Sequence, residues 1–501
     1  MSQQNQLNDI GKLKEILVGL DKIRAKGELD VEVSNISSNS KEVKKGDMFV
    51  VINGFESNGA EYIEEAIQNG AEVIMAQNDI DKGTILKIPD GITIVLVENV
   101  RHALAISACN FYKNPSRKFK LIGVTGTKGK TTTTFMIKDI LEKQGFKVGL
   151  VGTICTYING KNLGDNDRTT PESLELQKLF SMMVEEKTEV VVMEVSSQSL
   201  KLSRVDGCDF DIGIFTNFSE DHISEKEHPN MEDYFNSKIQ LFKMCKSGFI
   251  NVDNIYTSQI LKIVQDCDIK TYGIDNPANL LAKDITVTNT TADFKVKIGD
   301  RNERIKVGIP GRFSVYNALA AISVANKFGC NAEVIKEALL NVRVPGRCEL
   351  VDNSKELKIM LDYAHSPESL ENILQSAKEY TLGKVICVFG CGGDRDSRKR
   401  PIMGEIAGKL ADYTIITSDN PRTEEPEEIV KEIEKGIKKT KGKYECIVDR
   451  KEAIATAIKI EKKNDIIIIA GKGHELTQEI NHKKYPFDER LIVREIIENK
   501  N

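Results

Sequence analysis

The run Val124-Thr125-Gly126-Thr127-Lys128-Gly129-Lys130-Thr131-Thr132 constrains this chain more than any other. It follows a short apolar stretch, Lys120 to Val124, and leads into an amphipathic segment from about Thr131 to Gln144. A strand that turns through glycines directly into a helix is the setting of a phosphate-binding loop. The glycines let backbone N–H groups approach phosphate oxygens, and the helix N-terminus adds partial positive charge. On this reading Gly126, Thr127, Lys128, Gly129, Lys130, Thr131 and Thr132 surround the phosphates of a nucleotide. Lys130 reaches the β- and γ-phosphates, and the Thr131 hydroxyl ligates Mg2+. Position 124, where the standard loop has its first glycine, is Val, so the loop is a variant. Such loops serve motors, switches, kinases and ligases, and the loop alone does not choose among them.

Around this loop three blocks can be read. With 501 residues the chain has room for about three ordinary domains. Residues 1–117 form the first, ending in the polar, proline-containing segment Asn114-Pro115-Ser116-Arg117-Lys118, which reads as a linker. Within it, Asp47 to Gly54 reads as a strand entering a turn, Ala60 to Gly70 as a helix, and Ala71 to Ala76 as a strand. The second block, 118–345, holds the Gly-rich loop, its helix and a buried strand at Glu189 to Val195, an alternation that predicts a mostly parallel sheet covered by helices. Ala292 to Gly308 alternates as antiparallel strands do and is expected to make that sheet mixed. The third block, 346–501, repeats strand, loop and helix, with strands at Lys358 to Leu361, Val385 to Phe389, Thr414 to Thr417 and Asp465 to Ala470. In open α/β sheets ligands bind at the carboxyl ends of strands, so the loops after these four are where chemistry is expected.

Composition excludes several classes. The chain carries 70 Lys and Arg against 75 Asp and Glu, a formal charge of −5, which argues against a general nucleic-acid binder. The ten cysteines form no CxxC pair or zinc ligand set, as expected of reduced thiols in a cytosolic protein. The N-terminus lacks the basic-then-apolar order of a signal peptide, and the longest apolar runs, such as Ile466 to Ala470, are too short to cross a bilayer. The expectation is a cytoplasmic monomer without membrane insertion, taking small-molecule substrates.

The loop Gly126 to Thr132 resembles that of the Mur ligase family, which builds the peptide of bacterial cell-wall precursors. So do Met193-Glu194-Val195-Ser196-Ser197, Thr216 to His222, Tyr316-Asn317-Ala318-Leu319-Ala320-Ala321 and Asp362-Tyr363-Ala364-His365. Phe389 to Asp396, Asp419-Asn420-Pro421-Arg422 and Gly471-Lys472-Gly473-His474-Glu475 resemble the members that add the third residue of that peptide. The motifs run in the family's order from about residue 38 to 475. The resemblance implies an α/β protein of three domains: a small N-terminal UDP-binding domain, a central P-loop ATPase domain, and a C-terminal Rossmann-like domain that binds the amino acid.

It also implies roles. A carboxylic acid becomes an amide only after its oxygen is made a leaving group, which ATP does through an acyl phosphate. That step brings anions together and calls for concentrated positive charge. Lys130, Glu194, His222 and Lys238 are the implied catalytic set, with Thr131, Glu194, His222 and Lys238 holding Mg2+. Lys238 matches a lysine that relatives carry as a carbamate, whose oxygens suit a cation where an ammonium would repel it. Asn317, Arg347 and Asp362 are implied to complete the nucleotide site, and His365 shares their loop.

For the substrates, Ser38 and Ser40 resemble residues holding the UDP end of the precursor, although Asn39 and Lys41 depart from the family's Asp-Ser-Arg. Phe55-Glu56-Ser57 matches a nearby substrate loop in position. Thr169, Thr170, Ser196 and Arg204 align with groups that bind the muramoyl-dipeptide, whereas Leu202 replaces a family Gln. Arg395, Asp419, Asn420, Pro421, Arg422, Gly471 and Glu475 match the pattern of members that add meso-diaminopimelate. Its far carboxylate suits a guanidinium fork, and Glu475 with Asn420 suits its far ammonium. An Arg422 lacking a carboxylate partner would penalise lysine by a few kcal/mol. The segment Ile223 to Pro229 is longer than in many diaminopimelate-type relatives, and similar forms occur among lysine-adding members. The expected function is ATP-dependent addition of meso-diaminopimelate to UDP-N-acetylmuramoyl-L-Ala-D-Glu. L-lysine is the alternative residue, and folylpolyglutamate synthase and a silent nucleotide-binding paralogue are rival readings.

Overall fold

A computed structural model describes residues 11–54, 58–166, 168–220, 223–224, 227–355 and 357–499. The chain divides into two compact units, Met1–Asn279 and Leu280–Asn501.

The first unit contains two main sheets, with Gly11–Lys12 and Glu32–Val33 paired separately. The smaller runs Arg24–Lys26, Thr93–Val97, Ala71–Gln77, Asp47–Val50, Ile36–Ser37, parallel except at the first pair. Successive side chains alternate between faces. Met48, Val50, Val73, Met75, Val95 and Val97 therefore share one core with Leu13, Ile16 and Leu104, while Phe49, Ile74, Ala76 and Ile94 share the other with Ile63 and Ala66.

The larger sheet runs Lys161–Asp165, Cys155–Ile158, Val148–Val151, Val190–Glu194, Lys120–Thr125, Phe210–Phe215, Cys245–Asn251, Asp268–Gly273. From Val148–Val151 onward its pairs are parallel, and the Cys155–Asp165 hairpin adds an antiparallel edge. The sheet is mixed, then, but through this hairpin and not through residues 292–308. On one side of Lys120–Thr125 the chain visits the next strand but one and returns to fill the gap; on the other it goes outward. That reversal opens a crevice at the carboxyl ends of the central strands. The register sets Glu194 beside Val124 and Phe215 beside Thr125, so three loops emerge together there.

The segment read as a linker is folded. Pro115–Arg117 makes a 3-10 turn in which Pro115 and Ser116 are buried, and Ser116 Oγ accepts the Asp209 N–H at 3.2 Å.

In the second unit, Ala292–Ile298 and Arg301–Val307 pair antiparallel and join Lys283–Val287 in a separate three-stranded sheet. Alternate residues Ala292, Phe294, Val296 and Ile298 are buried, as their pattern predicts. A second sheet runs Glu349–Leu350, Ile359–Asp362, Ile466–Ala470, Val385–Phe389, Tyr413–Ile416, Tyr444–Cys446, parallel apart from its first pair. Helices Pro367–Tyr380, Lys399–Leu410, Pro426–Ile437, Arg450–Ile460 and Glu489–Glu498 connect and extend it. Ile466 to Ile469 are buried on both faces, each contributing about 1.5–3 kcal/mol of apolar transfer. This is the α/β, Rossmann-like organisation expected of the third block. The hairpin Thr477–Ile480 and Lys483–Pro486 follows the last parallel strand. Among the described residues, no helix is long and apolar enough to cross a membrane.

Candidate active site

At the crevice of the first unit, Gly126 takes φ +141°, and a Cβ there would overlap Thr216 Oγ1 and come within 3.0 Å of Asn217 O. Only glycine lets the loop pass so close. Asn217 then pins it. Its backbone O accepts the Thr127 N–H at 3.0 Å, its Oδ1 accepts the Lys128 N–H at 2.8 Å, and its Nδ2 donates to Lys128 O at 3.1 Å. Thr216 Oγ1 also donates to Lys128 O, at 2.6 Å. Helix Lys130–Gln144 begins directly after Gly129, so its first N–H groups face the loop.

Glu194, 1% exposed, ends its strand beside the loop. Its Oε2 accepts from Thr131 Oγ1 at 3.0 Å and Thr153 Oγ1 at 3.1 Å, and its Oε1 accepts the Thr153 N–H at 2.8 Å. Gly152 makes room, because a Cβ there would lie 2.5 Å from Glu194 Oε1. Hydroxyl and carboxylate oxygens converging in this way are the hard donors that Mg2+ takes, so the residues present fit that ion. Thr153 was not singled out in the sequence, although a Gly-Thr at a parallel strand's carboxyl end is the available signal.

Lys238 enters from helix Met231–Lys243. It is 1% exposed, donates to Gly126 O at 2.9 Å and lies 4.4 Å from the centre of the Tyr234 ring. Lys130 Nζ donates to the same Gly126 O at 3.0 Å and to Thr127 O at 3.1 Å. The two Nζ atoms are thus no more than about 6 Å apart, close enough for like charges to oppose each other. Asp221 and His222 lie outside the described residues, as does Phe55-Glu56-Ser57. Among the described residues no three His, Cys, Asp or Glu side chains form a metal-binding group.

Next to Glu194 a second group assembles. Thr170 Oγ1 donates to Glu194 O at 2.9 Å and accepts the Ser196 N–H at 3.1 Å, while Thr169 Oγ1 is 3.0 Å from Thr153 Oγ1. Arg204, 6% exposed, pairs with Glu172 at 3.0 Å and donates to Thr170 O at 3.3 Å. Its Nε carries no hydrogen bond among the described residues, and burial lowers its pKa, with Arg168 and Arg101 adding to the effect. Such a donor suits an incoming anion. Ser38 and Ser40 belong to the smaller sheet's loops: Ser38 is exposed, whereas Ser40 is buried with its hydroxyl donating to Glu65.

In the second unit, Arg347 stacks over the Tyr363 ring at 4.5 Å, and Asp362 Oδ2 accepts the Cys348 N–H at 2.8 Å. Burial raises the Asp362 carboxyl's pKa, and nearby Arg347 opposes the rise. His365 Nδ1 lies 2.8 Å from Tyr363 O, so it serves that loop's own geometry. Asn317 sits on helix Arg312–Lys327, 6% exposed.

The Asp419 to Arg422 loop is held by a dense set of hydrogen bonds. Asn420 Nδ2 donates to Glu475 Oε2 at 2.7 Å, and Gly393 N donates to Asn420 O at 2.9 Å. Gly471, at φ +116°, passes so close to Asp419 that a Cβ would overlap its carboxylate. Arg422, at φ +52°, donates through Nη1 to Gly393 O at 2.7 Å. A Cβ built on Gly392 would meet Arg422 Nη1 at 3.0 Å and Arg395 Cγ at 3.8 Å, so both arginines flank this glycine; Arg395 is exposed.

Arg422 does have a carboxylate partner. Its Nε lies 3.2 Å from Glu479 Oε2 on the hairpin, which is further stitched to the loop by Arg422 N to Glu479 O at 3.1 Å and Asn481 N to Arg422 O at 2.7 Å. The expected lysine penalty from an unpaired Arg422 therefore loses its stated basis. Sequence reasoning also passed over Arg450, fully buried, which pairs with Glu489 at 2.7 Å. It donates to Ser418 O at 3.1 Å and Ala470 O at 2.9 Å, holding the residues just before Asp419 and Gly471.

A glycine-rich loop at the switch point of one α/β unit, followed along the chain by a Rossmann-like unit with a polar loop cluster, is the organisation of an ATP-dependent ligase. The chain belongs to the Mur ligase family, whose members are ATP-dependent amide-forming ligases: residues 124–325 match the Mur ligase middle domain, 346–473 the Mur ligase glutamate ligase domain, and 32–112 the Mur ligase family catalytic domain. Among curated relatives, the UDP-N-acetylmuramoyl-L-alanyl-D-glutamate–2,6-diaminopimelate ligase of Caldanaerobacter subterraneus subsp. tengcongensis is 49% identical, over 97% of this chain and 99% of its own length. A Clostridium acetobutylicum protein of the same name (ligase 1) is 46% identical with the same two coverages. A solved structure of a UDP-N-acetylmuramoyl-L-alanyl-D-glutamate–2,6-diaminopimelate ligase superposes with TM-score 0.71 at 28% identity, covering 98% of this chain and 99% of that one. The folylpolyglutamate synthase of Mycobacterium tuberculosis, at 15% identity and TM-score 0.60 over 74% of this chain and 92% of its own, shares the fold alone.

Proposed function

We propose that this chain joins 2,6-diaminopimelate, in its meso form, to UDP-N-acetylmuramoyl-L-alanyl-D-glutamate at the expense of ATP, in the cytoplasmic synthesis of peptidoglycan precursors. The observation that carries this reading is near-full-length identity of 43–49% to proteins of that name, in a chain whose phosphate loop and Glu194 lie in hydrogen-bonding contact. In the division of labour, residues 1–117 bind the UDP end, 118–345 bind ATP, and 346–501 bind the amino acid.

Lys130 and the N–H groups at the start of helix Lys130–Gln144 receive the γ-phosphate. Thr131, Glu194, His222 and carbamylated Lys238 would hold Mg2+, whose charge would offset that of the substrate carboxylate and the γ-phosphate. Carbamylation replaces one of two neighbouring ammonium charges with a negative group, and the modified Nζ keeps one N–H for Gly126 O. Asn317, Arg347 and Asp362 take the adenosine. Thr169, Thr170, Ser196 and Arg204 orient the dipeptide so that its carboxylate is phosphorylated, with Ser38 and Ser40 near the uridine end. Arg395 and Arg422 take the far carboxylate of the diamino acid and Glu475 its far ammonium, with Asn420 holding Glu475 in place, and Asp419, Pro421 and Gly471 shape the loop.

The test is phosphate release from ATP with UDP-N-acetylmuramoyl-L-alanyl-D-glutamate and a panel of meso-diaminopimelate, meso-lanthionine and L-lysine. Release with diaminopimelate far above lysine supports the reading; release with lysine alone overturns the amino acid, and release with none overturns the activity. Addition of L-lysine is the second reading, favoured by one observation: Glu479 already partners Arg422.

A further inference from the structure

Lys472 has no role in the function just described, yet it is among the most buried lysines of the chain, with a side chain 0% exposed. It sits between Gly471 at φ +116° and Gly473 at φ +56°, and that tight backbone turns its side chain inward. Its ammonium donates to Asn420 Oδ1 at 2.9 Å and to Glu475 Oε2 at 3.0 Å. Asn420 Oδ1 also accepts the Glu479 N–H at 3.0 Å, so the amide can point only one way and its Nδ2 must face Glu475 Oε2, at 2.7 Å. Both bonds to Glu475 fall on Oε2, and among the described residues Oε1 takes none. A buried cation thus fixes Glu475, directly and through Asn420, and leaves its Oε1 as the acceptor for an incoming ammonium.

The charge count extends this. Lys472 sets its charge against Asp419, Glu475 and Glu479, alongside Arg395, Arg422 and the Arg450–Glu489 pair, so removing it makes the cluster one charge more negative. A more negative pocket suits a lone ammonium better, and a head group carrying both ammonium and carboxylate less well.

We infer that Lys472 is a specificity-determining positioning residue, which makes the distal pocket select a zwitterionic amino-acid end over a lone terminal ammonium. This rests on the reading of the site given above. It acts through Asn420 and Glu475 and through charge, without contacting the reacting atoms.

The experiment uses the full chain with ATP and the UDP-linked precursor, and measures kcat/KM for meso-diaminopimelate and for L-lysine in wild type, Lys472→Met, Lys472→Gln and Lys472→Arg. The ratio of the two is expected to fall about tenfold or more in Lys472→Met, through a higher KM for diaminopimelate and an undiminished rate with lysine. KM for ATP and for the precursor should stay put, and Lys472→Arg should recover part of the ratio. If Lys472→Met does not fold, Lys472→Gln keeps a donor to Asn420 without the charge and carries the same test. A ratio unchanged within about twofold in folded variants overturns the inference alone. A wild type inactive with both amino acids overturns the functional reading and this inference together.

Discussion

The Thr131 hydroxyl donates to Glu194 Oε2 across 3.0 Å, joining the first turn of one helix to the end of a neighbouring strand. The bond sets the spacing between two proposed cation ligands before any nucleotide arrives. Glu194→Gln keeps a hydrogen-bonding oxygen and so should fold, with Tm within a few degrees of wild type by calorimetry. It loses the negative charge that would hold Mg2+, and kcat should fall about 10²–10³-fold while nucleotide affinity changes much less. Near-normal kcat would remove Glu194 from the metal site.

Lys238→Ala should nearly abolish turnover, and short carboxylic acids added in solution should restore part of it, because they supply oxygens where the carbamate would be. Intact-protein mass measured with and without bicarbonate offers a second readout. Full activity in the alanine variant would remove the carbamate role.

Arg422→Lys should lower kcat/KM for diaminopimelate about 10²-fold, since an ammonium cannot hold a carboxylate bidentately and also reach Gly393 O. Glu479→Gln, which frees Arg422 from its ion pair, should move that quantity far less, with the change confined to KM for the amino acid. Steady-state kinetics on both variants separates substrate recognition from loop anchoring.

Desolvation, with Arg347 and Arg490 nearby, pushes the His474 imidazole down to about 4 from its ordinary 6.5. Above pH 6.5 the ring is neutral folded or unfolded. Between 6.5 and 4 the unfolded chain binds a proton that the folded chain refuses, so stability falls as pH drops through that window, by at most about 3 kcal/mol. His474→Phe keeps a ring against Tyr363, 5.0 Å away, and removes the titration. Its Tm should decline less than wild type's between pH 7 and 5 in thermal scans.

The elements were largely legible because their signals are local. Lys120–Thr125, Lys130–Gln144 and Ile466–Ala470 announce themselves by apolar period and glycine punctuation. The burial of Pro115 and Ser116 within Asn114–Lys118 was not legible, because a polar, proline-containing run reads the same whether or not its side chains pack. Residues 292–308 read correctly as antiparallel strands, but alternation says nothing about which sheet receives them.

For the site, residue identity determined the donors: the glycines, lysine and threonine of the phosphate loop, the carboxylate of Glu194, the guanidinium of Arg422. Partnership was decided by tertiary structure alone. Thr153 reaches Glu194 from 41 residues away, Glu479 reaches Arg422 from 57, and Lys472 reaches Asn420 from 52. The first and third exist because parallel strands bring the carboxyl ends of distant segments side by side, the second because the hairpin after the last parallel strand folds back onto the loop, and no periodicity along the chain encodes which ends will meet.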